Sequence, residues 1–213
     1  VTQTSPAELL ELHAVRVLGF ADTAAVAQRF DLDAATTDEH LLDAEADGWV
    51  VRTAFAGTAG WSLTDRGRRE NERQLAGELT ATDRSGEVRD AYDRFLPLNG
   101  VVLRACTDWQ LRPAPGNRFA PNDHTDPTWD GDVLRALHGI TLDLAPLIDR
   151  LAAVLTRFHG YDTRFGAALT RAQAGHIAWV DRTDVDSCHR VWFELHEDLV
   201  ATLGIDRRAT AEP

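Results

Sequence analysis

Ala21-Asp22-Thr23-Ala24-Ala25-Val26-Ala27-Gln28-Arg29-Phe30 opens the stretch, residues 21–67, around which this chain is organised. It reads as a short helix, with Asp22 or Thr23 placed to cap the first turn. Asp31-Leu32-Asp33 follows as a turn, and a second helical pattern runs from about Ala35 to Asp47, where Gly48 ends it. Trp49-Val50-Val51-Arg52-Thr53-Ala54-Phe55 reads as a strand. Ala56-Gly57-Thr58-Ala59-Gly60 is the expected hairpin loop, and Trp61-Ser62-Leu63-Thr64 the returning strand. Asp65-Arg66-Gly67 leads into another helix.

Helix, turn, helix and a two-stranded ribbon is the plan of a winged helix-turn-helix. In order, the chain supplies Val26-Ala27, Leu32, His40-Leu41, Gly48-Trp49-Val50 and Leu63-Thr64-Asp65-Arg66-Gly67-Arg68. This ordered set resembles the winged-helix transcriptional regulators of the MarR and PadR type. The resemblance is confined to residues 21–68. It implies binding to double-stranded DNA, with Thr36, Thr37, Asp38 and Glu39 of the second helix turned toward the groove, beside Ala35 and Asp43.

The charge of that helix points the other way. From Ala34 to Gly48 there is no Lys or Arg, against Asp38, Glu39, Asp43, Glu45 and Asp47. Duplex DNA carries about one charge per 1.7 Å of axis, and cationic side chains supply most nonspecific affinity. An acidic helix forfeits that attraction and adds repulsion, although a carboxylate can accept from cytosine N4. Phosphate contacts would then fall to Arg52, Arg66, Arg68 and Arg69, with Arg73 nearby. The same arginines, helix-spaced with Glu70 and Glu72, also fit a solvated face of local ion pairs. Two functions stay open. One is a transcriptional regulator bound to DNA; the other is a non-catalytic interaction or accessory protein whose acidic winged helix docks a partner protein.

With 213 residues, one large domain or two small ones are expected, and a hydrophobic share of 44% supports a real core. Net charge is −12 and every basic residue is Arg, so the chain is not a general polyanion binder and any DNA contact needs a local patch. No apolar run of ~18 residues is present, and Val1-Thr2-Gln3-Thr4-Ser5-Pro6 lacks the basic and apolar regions of a signal peptide, so no membrane association is expected. Cys106 and Cys188 cannot build a disulfide framework; they fit buried small hydrophobes in a reducing cytoplasm.

Upstream of the organising stretch, Pro6 to about Gly19 is a helix, with Ser5 as its expected cap and Glu8 at the capping-box position. The core of the winged helix is expected from Val15, Leu18, Phe20, Val26, Phe30, Leu32, Leu41, Trp49, Val51 and Leu63, with His40 a half-buried structural histidine. Downstream, a helix from Asp65 to about Leu79 gives way to the turn-rich segment 77–86. From Glu87 the pattern is helical again, with Pro97 expected to kink or restart it. A loop through Pro113, Pro115, Pro121 and Pro127 precedes a helix from Thr128 to about Phe158. Tyr161–Ala174 is helical and 175–180 a short hook. The last helix is capped by Asp186 or Ser187 and ends at Gly204. The expected fold is therefore mainly α. A winged helix-turn-helix with a two-stranded β wing occupies 1–80 and a linker 81–86. An all-helical bundle for homodimerisation or effector sensing occupies 87–206, and a polar tail 207–213.

The helical half holds the candidate ligand residues. Trp109, Trp129, Trp179 and Trp192 with Tyr92 and Tyr161 are many amphipathic aromatics, and pockets between helices are common ligand sites. Trp109, His138, His189, Trp192 and His196 form the expected pocket for a small-molecule effector, with Asn99, Asp108 and Arg112 as further polar points. No metal is expected. His189 and His196, seven residues apart, are separated by ~10.5 Å along a helix, too far for one ion with bonds of ~2.1 Å. No His-x-x-x-His or Cys-x-x-Cys occurs, so a site would need Asp123, His124 or Asp126 from the loop. No Gly-x-Ser-x-Gly, phosphate-cradling loop or paired carboxylate cleft is recognisable, so neither catalysis nor a cofactor is expected.

Overall fold

The computed structural model describes residues 2–55 and 57–205; the expected tail at 207–213 and the loop residue Ala56 lie outside them. The described chain is mainly α-helical with one two-stranded antiparallel sheet. It divides into two compact units interleaved in sequence. The first takes the chain up to Val88, Ala153–Arg157 and the chain from Glu194 on; the second takes Arg89–Ala152 and Phe158–Phe193.

The first unit begins with α1 (Ala7–Leu18). Ser5 does not cap it. Pro6 holds the cap position in an extended conformation, one residue later than expected, and the buried Ser5 Oγ has no hydrogen-bond partner. α2 (Thr23–Arg29) and α3 (Ala34–Ala46) start as local chemistry dictates: the Asp22 carboxylate accepts from the Ala25 N–H, and Asp33 from the Thr36 N–H. Gly48, at φ +71°, supplies the left-handed turn out of α3.

β1 (Val50–Phe55) pairs with β2 (Thr58–Leu63) from Val50↔Leu63 to Phe55↔Thr58. Thr58, Ala59 and Gly60, expected in the loop, therefore belong to the ladder. The phase of the strands also differs from expectation. Val50 and Trp61 are buried, whereas Val51 is 41% exposed and Trp49 only half-buried. Side chains alternate along a strand, so burying Val50 turns Val51 outward. Trp61 is fixed from a third segment: Ala21 and Trp61 exchange both backbone hydrogen bonds, and the Trp61 indole donates to Thr23 Oγ1. Phe20, expected in the core, is exposed beside this bridge. The core consists of Leu12, Val15, Val26, Leu41, Val50 and Trp61, flanked by Leu18, Phe30, Trp49 and Leu63.

α4 (Asp65–Thr82) is capped by Thr64, whose Oγ1 accepts from the Gly67 N–H and donates to the Gly48 carbonyl. α5 (Ser85–Gln110) begins three residues after α4 ends, so the expected linker 81–86 is the end of α4, Asp83-Arg84 and the start of α5. A buried charge network completes the first unit. Arg157 donates to Glu78 on α4 and, on α9 (Cys188–Leu203), to Asp198 and Thr202; His13 lies 3.0 Å from the same Asp198 carboxylate.

The named elements of the second unit are helices, with a non-helical loop at 111–126 between the first two. α5 passes unbroken through Pro97, and α6 (Pro127–Ala152) through Pro146. α6 ends at Ala152 rather than near Phe158, because the following segment leaves the helix to pair with Gln3: the Gln3 N–H donates to Val154 and the Thr156 N–H to Gln3. A single 3-10 turn (Thr156–Phe158), α7 (Tyr161–Gln173) and the one-turn α8 (Ala178–Asp181) follow. Ser187 caps α9 by accepting from the Arg190 N–H, and Gly204 follows its end. The Trp192 ring stacks on Phe95 at 4.6 Å and meets Phe165 edge-on.

Candidate functional site

The inner stripe of α3 is Thr37, Leu41 and Ala44, with His40 at its edge. Thr37, expected to face DNA, is fully buried, and its hydroxyl donates to Oε1 of the buried Glu11 on α1. His40 Nδ1 lies 2.8 Å from Glu11 Oε2. Burial raises the Glu11 carboxyl above its ordinary value, and the bond to Glu11 raises His40. These contacts fix the roll of α3 and turn Thr36, Asp38, Glu39, Leu42, Asp43, Glu45 and Asp47 to solvent.

Two of those acids brace neighbouring elements. Asp38 accepts from the Thr23 hydroxyl at 2.9 Å, and Glu45 from the Arg52 N–H at 3.1 Å. The backbone hydrogen bond from Thr36 holds the Asp33 carboxyl below its usual range.

The four expected arginines are all exposed. Arg52 lies over the Trp61 ring, its guanidinium carbon 5.4 Å from the centroid. Arg66 reaches past Gly48. Arg68 lies 3.8 Å from Glu197, a carboxylate already engaged by Arg16. Arg69 stands on the outer side of α4. Arg73 is paired with Glu70.

Between α1 and α3 lies a cleft of about 300 Å³. Its apolar lining is Leu12, Leu41, Ala44 and Trp49; its polar lining is Glu8, Glu11, His40, Asp43 and Asp47. Sequence reading missed it. The signal was there in part, since Glu8 and Glu11 (i, i+3) and Asp43 and Asp47 (i, i+4) each fall on one helix face. That the two faces meet is a tertiary fact.

Of the five residues expected to form an effector pocket, two are buried and three lie nearer the surface. Trp109 and Trp192 are core residues whose indoles donate to the Ile177 carbonyl and to Asn99 Oδ1. His138 is exposed on α6, and His189 and His196 are half-buried on α9. One cleft of the second unit, about 430 Å³, lies between α5 and α6 and is lined by Val101, Arg104, Asp108, Trp129, Asp132 and Val133, among others. The Trp129 indole donates to the Asp108 carbonyl there.

Burial pushes the thiols of Cys106 and Cys188 up to about 12, which leaves them protonated and unreactive at neutral pH. Among the described residues no group of three or more His, Cys, Asp or Glu is arranged to hold a metal ion, and no helix is long and apolar enough to cross a membrane. No protein-family model, no curated protein and no solved structure matches the chain.

Proposed function

We propose that this chain is a non-catalytic winged-helix module that docks a basic partner protein through the outer face of α3, with the β1–β2 hairpin as its wing. One observation carries the proposal: Asp38, Glu39, Asp43, Glu45 and Asp47 are all solvent-exposed on or just past α3, and that helix bears no Lys or Arg. Placed in a DNA groove, such a helix would face phosphates at about one charge per 1.7 Å with no cation of its own. Against a basic protein surface the same charges are complementary, which speeds encounter and suppresses wrong partners. Leu42, 47% exposed among the acids, offers an apolar centre of the kind docking faces use.

A regulator that binds double-stranded DNA is the second reading, favoured by the exposure of Arg52 on the hairpin and of Arg66 and Arg69 on α4. In both, a homodimer is the proposed state. Leu96 and Leu103, seven residues apart on α5, are exposed, as are Val101 and Leu142. A small-molecule effector would find its place in the α5–α6 cleft.

Fluorescence anisotropy tests the choice. The full chain is titrated with a labelled random-sequence duplex and, in parallel, with a labelled arginine-rich peptide, at low and physiological salt. Binding of the peptide but not the duplex, weakened by Asp38→Asn with Glu39→Gln, is the expected result. Duplex binding that falls steeply with salt and vanishes in Arg66→Glu with Arg69→Glu would establish the regulator instead.

A further inference from the structure

We propose that the cleft between α1 and α3 receives the side chain of one arginine of that basic partner. This rests on the docking function above and adds where its anchoring cation goes. The carboxylates alone would be a solvated acidic patch. They line a cavity, however, that is shared with Trp49, Leu12, Leu41 and Ala44. At about 300 Å³ it stands at the lower end of ligand pockets, which run from about 300 to 1,000 Å³. That is a size for a single side chain rather than for a cofactor.

Charge selects the guest. Glu8, Glu11, Asp43 and Asp47 line the cleft against one imidazole, His40, whose Nδ1 is already directed at Glu11. An anion or a phosphate is repelled, and an inorganic cation finds no set of three ligating side chains among the described residues. Arginine fits on three counts. Its methylene stem can lie along Leu12 and Leu41, its planar guanidinium can stack on the Trp49 indole, and its fork of N–H donors can serve two carboxylates at once. Lysine satisfies the charge but brings neither the plane nor the fork.

The test uses the full chain and two probes. With N-acetyl-arginine methylamide, the indole N–H resonances of the six tryptophans are followed by NMR, Trp49 being assigned with Trp49→Phe. Only the Trp49 signal should move, and the neutral citrulline analogue should move none. With the labelled arginine-rich peptide, Asp43→Asn combined with Asp47→Asn should weaken binding about tenfold. Asp38→Asn combined with Glu39→Gln removes the same charge outside the cleft and should weaken it less than about threefold. Melting curves of both variants check that the fold is kept. Equal losses from the two pairs, with Trp49 unmoved, would overturn the cleft assignment and leave the docking face standing. Binding of a duplex with no binding of the peptide would overturn both.

Discussion

His40 on α3 and Glu11 on α1 face each other at 2.8 Å, and Thr37 holds the other oxygen of the same buried carboxylate. One acid therefore sets the roll of α3 and decides which of its side chains reach solvent. Burial lifts Glu11 above 4.5, and the bond to Glu11 lifts His40 above 6.5.

A histidine raised in the folded state contributes stability that is complete below its unfolded value and lost as pH rises through its folded one. Glu11, also raised, acts in the same direction, its contribution declining as pH climbs past 4.5. Denaturant melts at about pH 6 and about pH 8.5 should therefore show wild type losing stability relative to His40→Gln as pH rises. A difference between the two proteins that does not change with pH would remove this linkage.

Trp61, 1% exposed, is the largest side chain in the core of the first unit. Trp61→Ala should cost about 3–5 kcal/mol in urea unfolding, while Val51→Ala on the outer phase of β1 should stay within about 0.5 kcal/mol. The reverse ranking would mean that the strand phase described above is wrong.

Asp198 sits wholly buried between Arg157 and His13. Burial on its own would raise its carboxyl, but Arg157 and the hydrogen-bonded His13 outweigh it and hold the group well below 3.8. A depressed carboxylate gives stability that is present above its unfolded value and lost as pH falls through the folded one. Asp198→Asn should cost about 3–5 kcal/mol at neutral pH, because it takes a charged carboxylate away from the buried Arg157 guanidinium. It should also shrink the loss of stability between neutral pH and about pH 2. Equal acid sensitivity in both proteins would show that other carboxylates govern the acid limb.

Gly67 lies against the backbone of Trp49, where an added Cβ would come within 1.8 Å of the Trp49 carbonyl oxygen. In an open helix Gly→Ala stabilises by roughly 0.8–1 kcal/mol. Here Gly67→Ala should destabilise by at least about 1–3 kcal/mol, since backbone rather than a flexible side-chain tip must give way. A rise in melting temperature would contradict that contact.

From the sequence by itself follow the order of helices and hairpin, the caps to within one residue (Asp22 or Thr23, Asp186 or Ser187), the stops at Gly48 and Gly204, and the acidity of α3. All depend on neighbours within about four residues, where a cap oxygen, a left-handed glycine or a run of carboxylates acts alone. Ser5 shows the edge of that rule, since a proline one residue later takes over the cap position.

Tertiary structure decided the rest. Val50 and Val51 are equally apolar, and only the pairing of Trp61 with Ala21 decides which faces inward. α6 stops at Ala152 because Gln3, remote in sequence, offers the next residues an extended partner. Thr37 reads as a groove-facing polar residue until Glu11 takes its hydroxyl. Glu8 and Glu11 become one cleft with Asp43 and Asp47 only when α1 and α3 pack. In each case a hydrogen bond or an apolar contact spanning many residues outweighs a local preference worth less than about 1 kcal/mol.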